Sequence, residues 1–120
     1  MTRNILAAVD DMFFAAKIRA TGEALDVSIK FHRRLEGLIA AAGEQTPGLI
    51  IADLHNEKLN PIELAKQLKA SETLKTIPLL GFFSHVQADL QRSAMEAGFD
   101  QVIPRSVFSM DLARILAEGI

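Results

Sequence analysis

Apolar runs alternate along the chain with stretches whose apolar residues return at helical spacing. Ile5-Leu6-Ala7-Ala8-Val9 is continuous, apolar and stopped by two acids, the pattern of a short strand buried on both faces. Between Met12 and Leu25, residues Phe14, Ile18 and Leu25 fall on one helical face, and Asp11 stands where it can cap the start. Val27-Ser28-Ile29-Lys30-Phe31-His32 alternates strictly, which predicts a strand with one wet face at a sheet edge. Leu35, Leu38 and Ile39 predict a short second helix closed by Gly43. After the turn Gln45-Thr46-Pro47-Gly48, the run Leu49-Ile50-Ile51-Ala52 predicts a third strand that ends at an acid, Asp53. Asn60-Pro61 offers a cap followed by proline at the first helical position, with Glu63 three residues after the cap, and that helix runs to about Ser71.

The second half repeats the alternation. Ile77-Pro78-Leu79-Leu80-Gly81-Phe82-Phe83 predicts a fourth strand. Val86, Leu90, Ala94 and Ala97 predict the inner face of a fourth helix ended by Gly98. Gln101-Val102-Ile103 predicts a fifth strand, and Leu112, Ile115 and Leu116 mark a last helix. Five strands alternating with five helices imply an α/β domain, a doubly wound parallel sheet. Right-handed crossovers and a polar-faced second strand favour the order 2-1-3-4-5. In that order ligands bind outside the carboxyl ends of strands one and three. Those ends carry Asp10 and Asp11 on one side and Asp53 on the other. Carboxylates gathered this closely repel one another unless a cation lies among them, and magnesium held by oxygens is the natural partner.

Composition narrows the classes. A chain of 120 residues suits a single domain spanning 1–120. With 49% hydrophobic and 23% charged residues it has an ordinary globular composition. A net charge of -2 and scattered basic residues argue against nucleic acid or an anionic membrane as the main partner. The absence of cysteine excludes a disulfide framework, a thiolate zinc site and a cysteine nucleophile. The N-terminal apolar run is too short for a signal peptide, and no run is long enough to span a bilayer, so a cytoplasmic protein is expected.

The order of these motifs resembles that of response-regulator receiver domains, over essentially the whole length, with the flavodoxin-like fold that this family shares. The family carries an acidic pair after strand one, a phosphate-accepting aspartate after strand three, a Ser or Thr after strand four and a Lys-Pro after strand five. ILAAVDD supplies the pair as Asp10 and Asp11, and LIIADL supplies the acceptor as Asp53. The switching half departs from the pattern. In IPLLGFFSHV the hydroxyl position is Phe83 and the serine comes one later, at Ser84. In DQVIPRSVFS the lysine position is Arg105, and Ser106 replaces the proline. The resemblance implies magnesium held by Asp10, Asp11 and Asp53, a histidine kinase or other signalling protein as partner, and dimerisation or docking through the face that here carries Val107, Phe108 and Met110. It implies no enzymatic activity beyond phosphorylation and dephosphorylation at Asp53. It also implies a bridge from Arg105 toward Asp53.

Each residue has a plainer reading beside this one. Asp53 can cap the following turn, and Asp11 the first helix. Ser84 has capping-box spacing with Gln87 and can open the fourth helix. Phe83 reads as core, and Phe108 as a staple between its helix and the core. His55 and His85 both follow strand ends, where a metal site including them is a lesser reading than loop residues. Three function classes follow: a phosphorylatable atypical receiver; a degenerate pseudo-receiver that acts by protein contact without phosphorylation; and, a distant third, a flavin or nucleotide binder. The last needs a phosphate cradle after strand one, where VDDMFF offers carboxylates, and no G-x-G-x-x-G or Walker sequence occurs.

Overall fold

The computed structural model describes residues 3–120. Five strands, β1 (Asn4–Ala8), β2 (Ser28–Phe31), β3 (Leu49–Asp53), β4 (Leu79–Phe83) and β5 (Gln101–Pro104), form one sheet in the order β2-β1-β3-β4-β5. Every neighbouring pair is parallel. Between them run α1 (Met12–Ala24), α2 (Leu35–Glu44), α3 (Pro61–Ala70) and α4 (Ala88–Ala97), and β5 is followed by α5 (Arg105–Met110) and α6 (Leu112–Glu118). Fold class and strand order are those the sequence predicts.

The strand period of two divides the core between the faces. Leu6, Ala8, Ile50, Ala52, Leu79 and Phe83 point toward α2, α3 and α4. Ile5, Ala7, Val9, Leu49, Ile51, Leu80 and Phe82 point toward α1, α5 and α6. Central strands covered on both sides must be apolar at every position, which is why β1, β3 and β4 read as unbroken runs. β2, at the edge, has no fully buried residue: Ile29 and Phe31, on the face that the alternation turns inward, are only partly buried against the core, and Lys30 is exposed.

Caps at the site end follow the sequence closely. Asp11 accepts hydrogen bonds from the Phe13 and Phe14 backbone N–H at the start of α1. Asn60 adopts a left-handed conformation (φ 67°) and accepts from the Glu63 N–H, with Pro61 opening α3.

Three details differ. There are six helices rather than five among the described residues, because the chain is already helical from Arg105, directly after β5. The short α5 carries fully buried Phe108 into the aromatic cluster, and the chain bends at Asp111 before α6. A six-residue helix is too short to establish an apolar period, so tertiary burial of one ring decides it. Helix α2 continues through Gly43 to Glu44, and Gly43 has open space around its Cβ position. Helix α4 starts at Ala88, with Gln87 rather than Ser84 at the cap and no capping side chain. The segment from Ser84 to Gln87 carries the chain out from the sheet, and Val86 is 83% exposed instead of lining the inner face. No described helix is long and apolar enough to cross a membrane.

Candidate functional site

The strand order reverses the chain between β1 and β3, and the acids stand at the carboxyl ends of these two strands. Asp53, the last residue of β3, is half-buried. Its Oδ1 accepts the His55 backbone N–H at 2.9 Å, the turn-capping contact that the sequence allows. Among the described residues no donor reaches its other oxygen, and Asp53 lines a hollow of about 280 Å³ with Asp10, His55, Asn56, Glu57 and Lys58. Asp10 is exposed and lies 3.9 Å from the Arg33 guanidinium, a solvated pair of small energetic weight.

Asp11 is held differently. One oxygen caps α1, and the other receives the Arg105 Nη2 at 3.2 Å. The Arg105 guanidinium carbon stands 4.1 Å from the centre of the Phe14 ring. Phe14 is itself fixed edge-on against Phe82 and Phe108. Arg105 therefore meets Asp11, and no contact with Asp53 is found. This corrects the bridge toward Asp53. The reason is that Arg105 opens α5 beside α1, and the Phe14 ring holds its planar head over Asp11.

The Asp11 carboxyl is held below the ordinary aspartate range, first by the Phe14 N–H; desolvation, the next largest influence, pushes it up, and Arg105 and the Phe13 N–H lower it further. A depressed carboxyl stabilises the fold fully above the unfolded-state range, and the contribution is lost as pH falls through the folded-state value. Asp11→Asn is therefore expected to lower the urea midpoint at neutral pH. The gap to wild type should close as the medium is acidified through the aspartate range and below it, to the depressed folded-state value.

Ser84 is exposed beyond the end of β4, while Phe83, at the hydroxyl position, is 8% exposed and packed in the α2–α4 core. His55 and His85 meet edge to face at 5.5 Å, and the His85 backbone N–H donates to His55 Nε2 at 3.4 Å. Among the described residues no three His, Asp or Glu side chains converge as a metal-holding group. Two participants escape the sequence reading. Buried Asn56 donates to the Ala8 carbonyl at 3.3 Å and ties the loop after Asp53 to the end of β1. Phe14 supports Arg105. Asparagine is a common turn residue, so the type of Asn56 suits the loop after Asp53, but its reach across to β1 is a property of the sheet.

Solved structures share this fold over nearly the whole chain. The chemotaxis response regulator CheY4 of Vibrio cholerae superposes with a TM-score of 0.83 at 14% identity, covering 100% of both chains. This is the fold of a response-regulator receiver domain. A receiver domain of a signal transduction histidine kinase from Syntrophus aciditrophicus has a TM-score of 0.80 at 21% identity, over 99% of this chain and 92% of its own. That of a sensor histidine kinase from Pseudomonas aeruginosa has a TM-score of 0.79 at 15% identity, over 98% of this chain and 100% of its own, and holds a magnesium ion in its active-site cleft. No family model matches the sequence, and no curated protein does.

The side chains here do not fit such an ion as they stand. Asp10 and Asp53 share the hollow, but both oxygens of Asp11 are committed, to helix α1 and to Arg105. The expected set of Asp10, Asp11 and Asp53 is thus not assembled as one ligand group.

Proposed function

We propose that the chain is an atypical receiver module of two-component signalling, with output through protein–protein contact and Asp53 as its phosphoacceptor. The observation that carries this reading is the Asp53 carboxylate. It stands at the switch point of a receiver-type sheet, with one oxygen oriented by the His55 N–H, and the residue lines an open hollow. A carboxylate so placed can attack phosphorus in line. Its oxygen forms the new O–P bond while the N–P bond of a donor phosphohistidine, or the O–P bond of a small acyl phosphate, breaks with its electron pair on the leaving group. Lys58 is the cationic side chain in the lining and lies where added negative charge would accumulate.

Among the described residues no nucleophile–base pair suggests further catalysis, so the module is read as a signalling part rather than an independent enzyme. Its partner class is a histidine kinase or another signalling protein. Buried Phe108 belongs to the core, whereas Met110 is 84% exposed on the same short helix and is the better contact residue of that face, including for a homodimer.

A second reading has its own support. Phe83 in the core and Arg105 on Asp11 leave the usual hydroxyl and cation positions without their chemistry, which favours a pseudo-receiver that works unmodified. Intact-mass measurement after incubation with acetyl phosphate and magnesium separates the two. Wild type should gain the mass of one phosphoryl group and Asp53→Asn none. Wild type without a gain would favour the pseudo-receiver.

A further inference from the structure

We propose that the Arg105 guanidinium occupies the place of a divalent cation at Asp11, so that the acidic end of the sheet binds such a cation weakly until Arg105 is removed. The inference rests on reading this end as a receiver-type acidic site and adds how its metal affinity is set.

Arg105 is held at several points. Its Nη2 donates to Asp11, and its head covers the Phe14 ring. Its backbone opens α5 directly after Pro104, whose φ is -61°. The Phe14 ring beneath is 5% exposed and wedged against Phe82 and Phe108, so the platform cannot easily turn away. Asp11 is fixed from the other side by two N–H groups of α1, at 2.9 and 3.1 Å. A magnesium or manganese ion needs carboxylate oxygens and water in near-octahedral array. To enlist Asp11 it must displace a charge-assisted hydrogen bond, then bear the repulsion of a guanidinium anchored next to it. Asp10 offers no full replacement, because it is exposed and turned to Arg33. Arginine suits this role better than lysine: its planar head stacks on a ring and is less strongly hydrated, so it gives up less in leaving water.

The test is manganese binding to the full chain, followed by water-proton relaxation and by broadening of amide signals around Asp10, Asp11 and Asp53. Arg105→Gln is expected to bind manganese at least roughly tenfold more tightly than wild type, since one nearby positive charge is gone. Adding Asp11→Asn to Arg105→Gln should abolish that gain. Arg105→Lys, which keeps the charge but gives up the fork and the stack, should fall between, and it serves as the readout if Arg105→Gln does not fold. Equal affinity in wild type and the Arg105 variants overturns the proposal, as does a gain that survives Asp11→Asn. Phosphoryl uptake is not read in this titration, so a negative mass experiment at Asp53 and a negative result here are separate outcomes.

Discussion

Phe82→Ala is expected to lower the unfolding free energy by about 3–5 kcal/mol, the range for truncating a buried Phe. Phe82 is fully buried in β4, stacked on Phe108 at 5.0 Å with planes 6° apart and edge-on to Phe14 at 5.3 Å. Its removal opens a cavity between the sheet and helices α1 and α5, where three rings pack together. A domain of this size has a total stability of about 5–15 kcal/mol, so the loss is a large share of it. Phe108→Ala should cost a similar amount. The double variant should cost less than the sum, by a coupling of about 0.5–1.5 kcal/mol for the lost stack. The chain has no Trp or Tyr, so urea unfolding is followed by far-ultraviolet circular dichroism. A loss under about 1 kcal/mol would mean that the ring cluster is not packed as described. The same substitution should loosen Arg105, whose platform is the third ring of the cluster.

At saturating magnesium, beryllofluoride is expected to shift amide signals only around the acidic hollow, without propagation to α4. The relay needs a hydrogen-bonding side chain at the end of β4 that can follow an oxygen on Asp53. Phe83 is 8% exposed, has no such group and is held in the α2–α4 core, and Ser84 beyond it is exposed. Arg105 is engaged with Asp11 and does not supply charge at Asp53. Shifts running from Asp53 through Phe83 and Ser84 into α4 would refute this. Arg105→Lys combined with Phe83→Thr is the paired variant expected to restore propagation, because it returns a mobile point charge and a hydroxyl together. Its stability should drop by about 3 kcal/mol, close to the cost of emptying a Phe site, so the comparison is made below its unfolding transition.

The fold was legible because its signals are local and repeated. β1, β3 and β4 are apolar apart from Asn4 at the start of β1 and Asp53 at the end of β3, β2 alternates, and Asp11 and Asn60-Pro61 mark two helix starts by cap chemistry alone. The misreadings fall where local chemistry is ambiguous. Ser84 and Gln87 have capping-box spacing, but β4 ends at Phe83 and the chain needs the intervening residues to leave the sheet before α4 can begin. Gly43 resembles a helix stop, but an isolated glycine inside a helix costs only about 1 kcal/mol, and α2 continues past it. Helix α5 has one buried aromatic and no measurable period, so no pattern in the sequence announces it.

By itself the sequence determined the α/β class, the strand order and the delivery of Asp10, Asp11 and Asp53 to one end of the sheet. Period-two burial and strand-end acids are properties of short segments, and right-handed crossovers leave few ways to connect them. Only the tertiary structure decided which charge meets which. Arg105 and Asp11 are separated by 94 positions along the chain, and their pairing depends on α5 packing beside α1 over the Phe14 ring. Asn56 likewise finds the Ala8 carbonyl only because β1 and β3 are neighbours. Side-chain partners at a switch point are set by where helices settle on the sheet, to within an ångström or so, and no residue spacing encodes that distance.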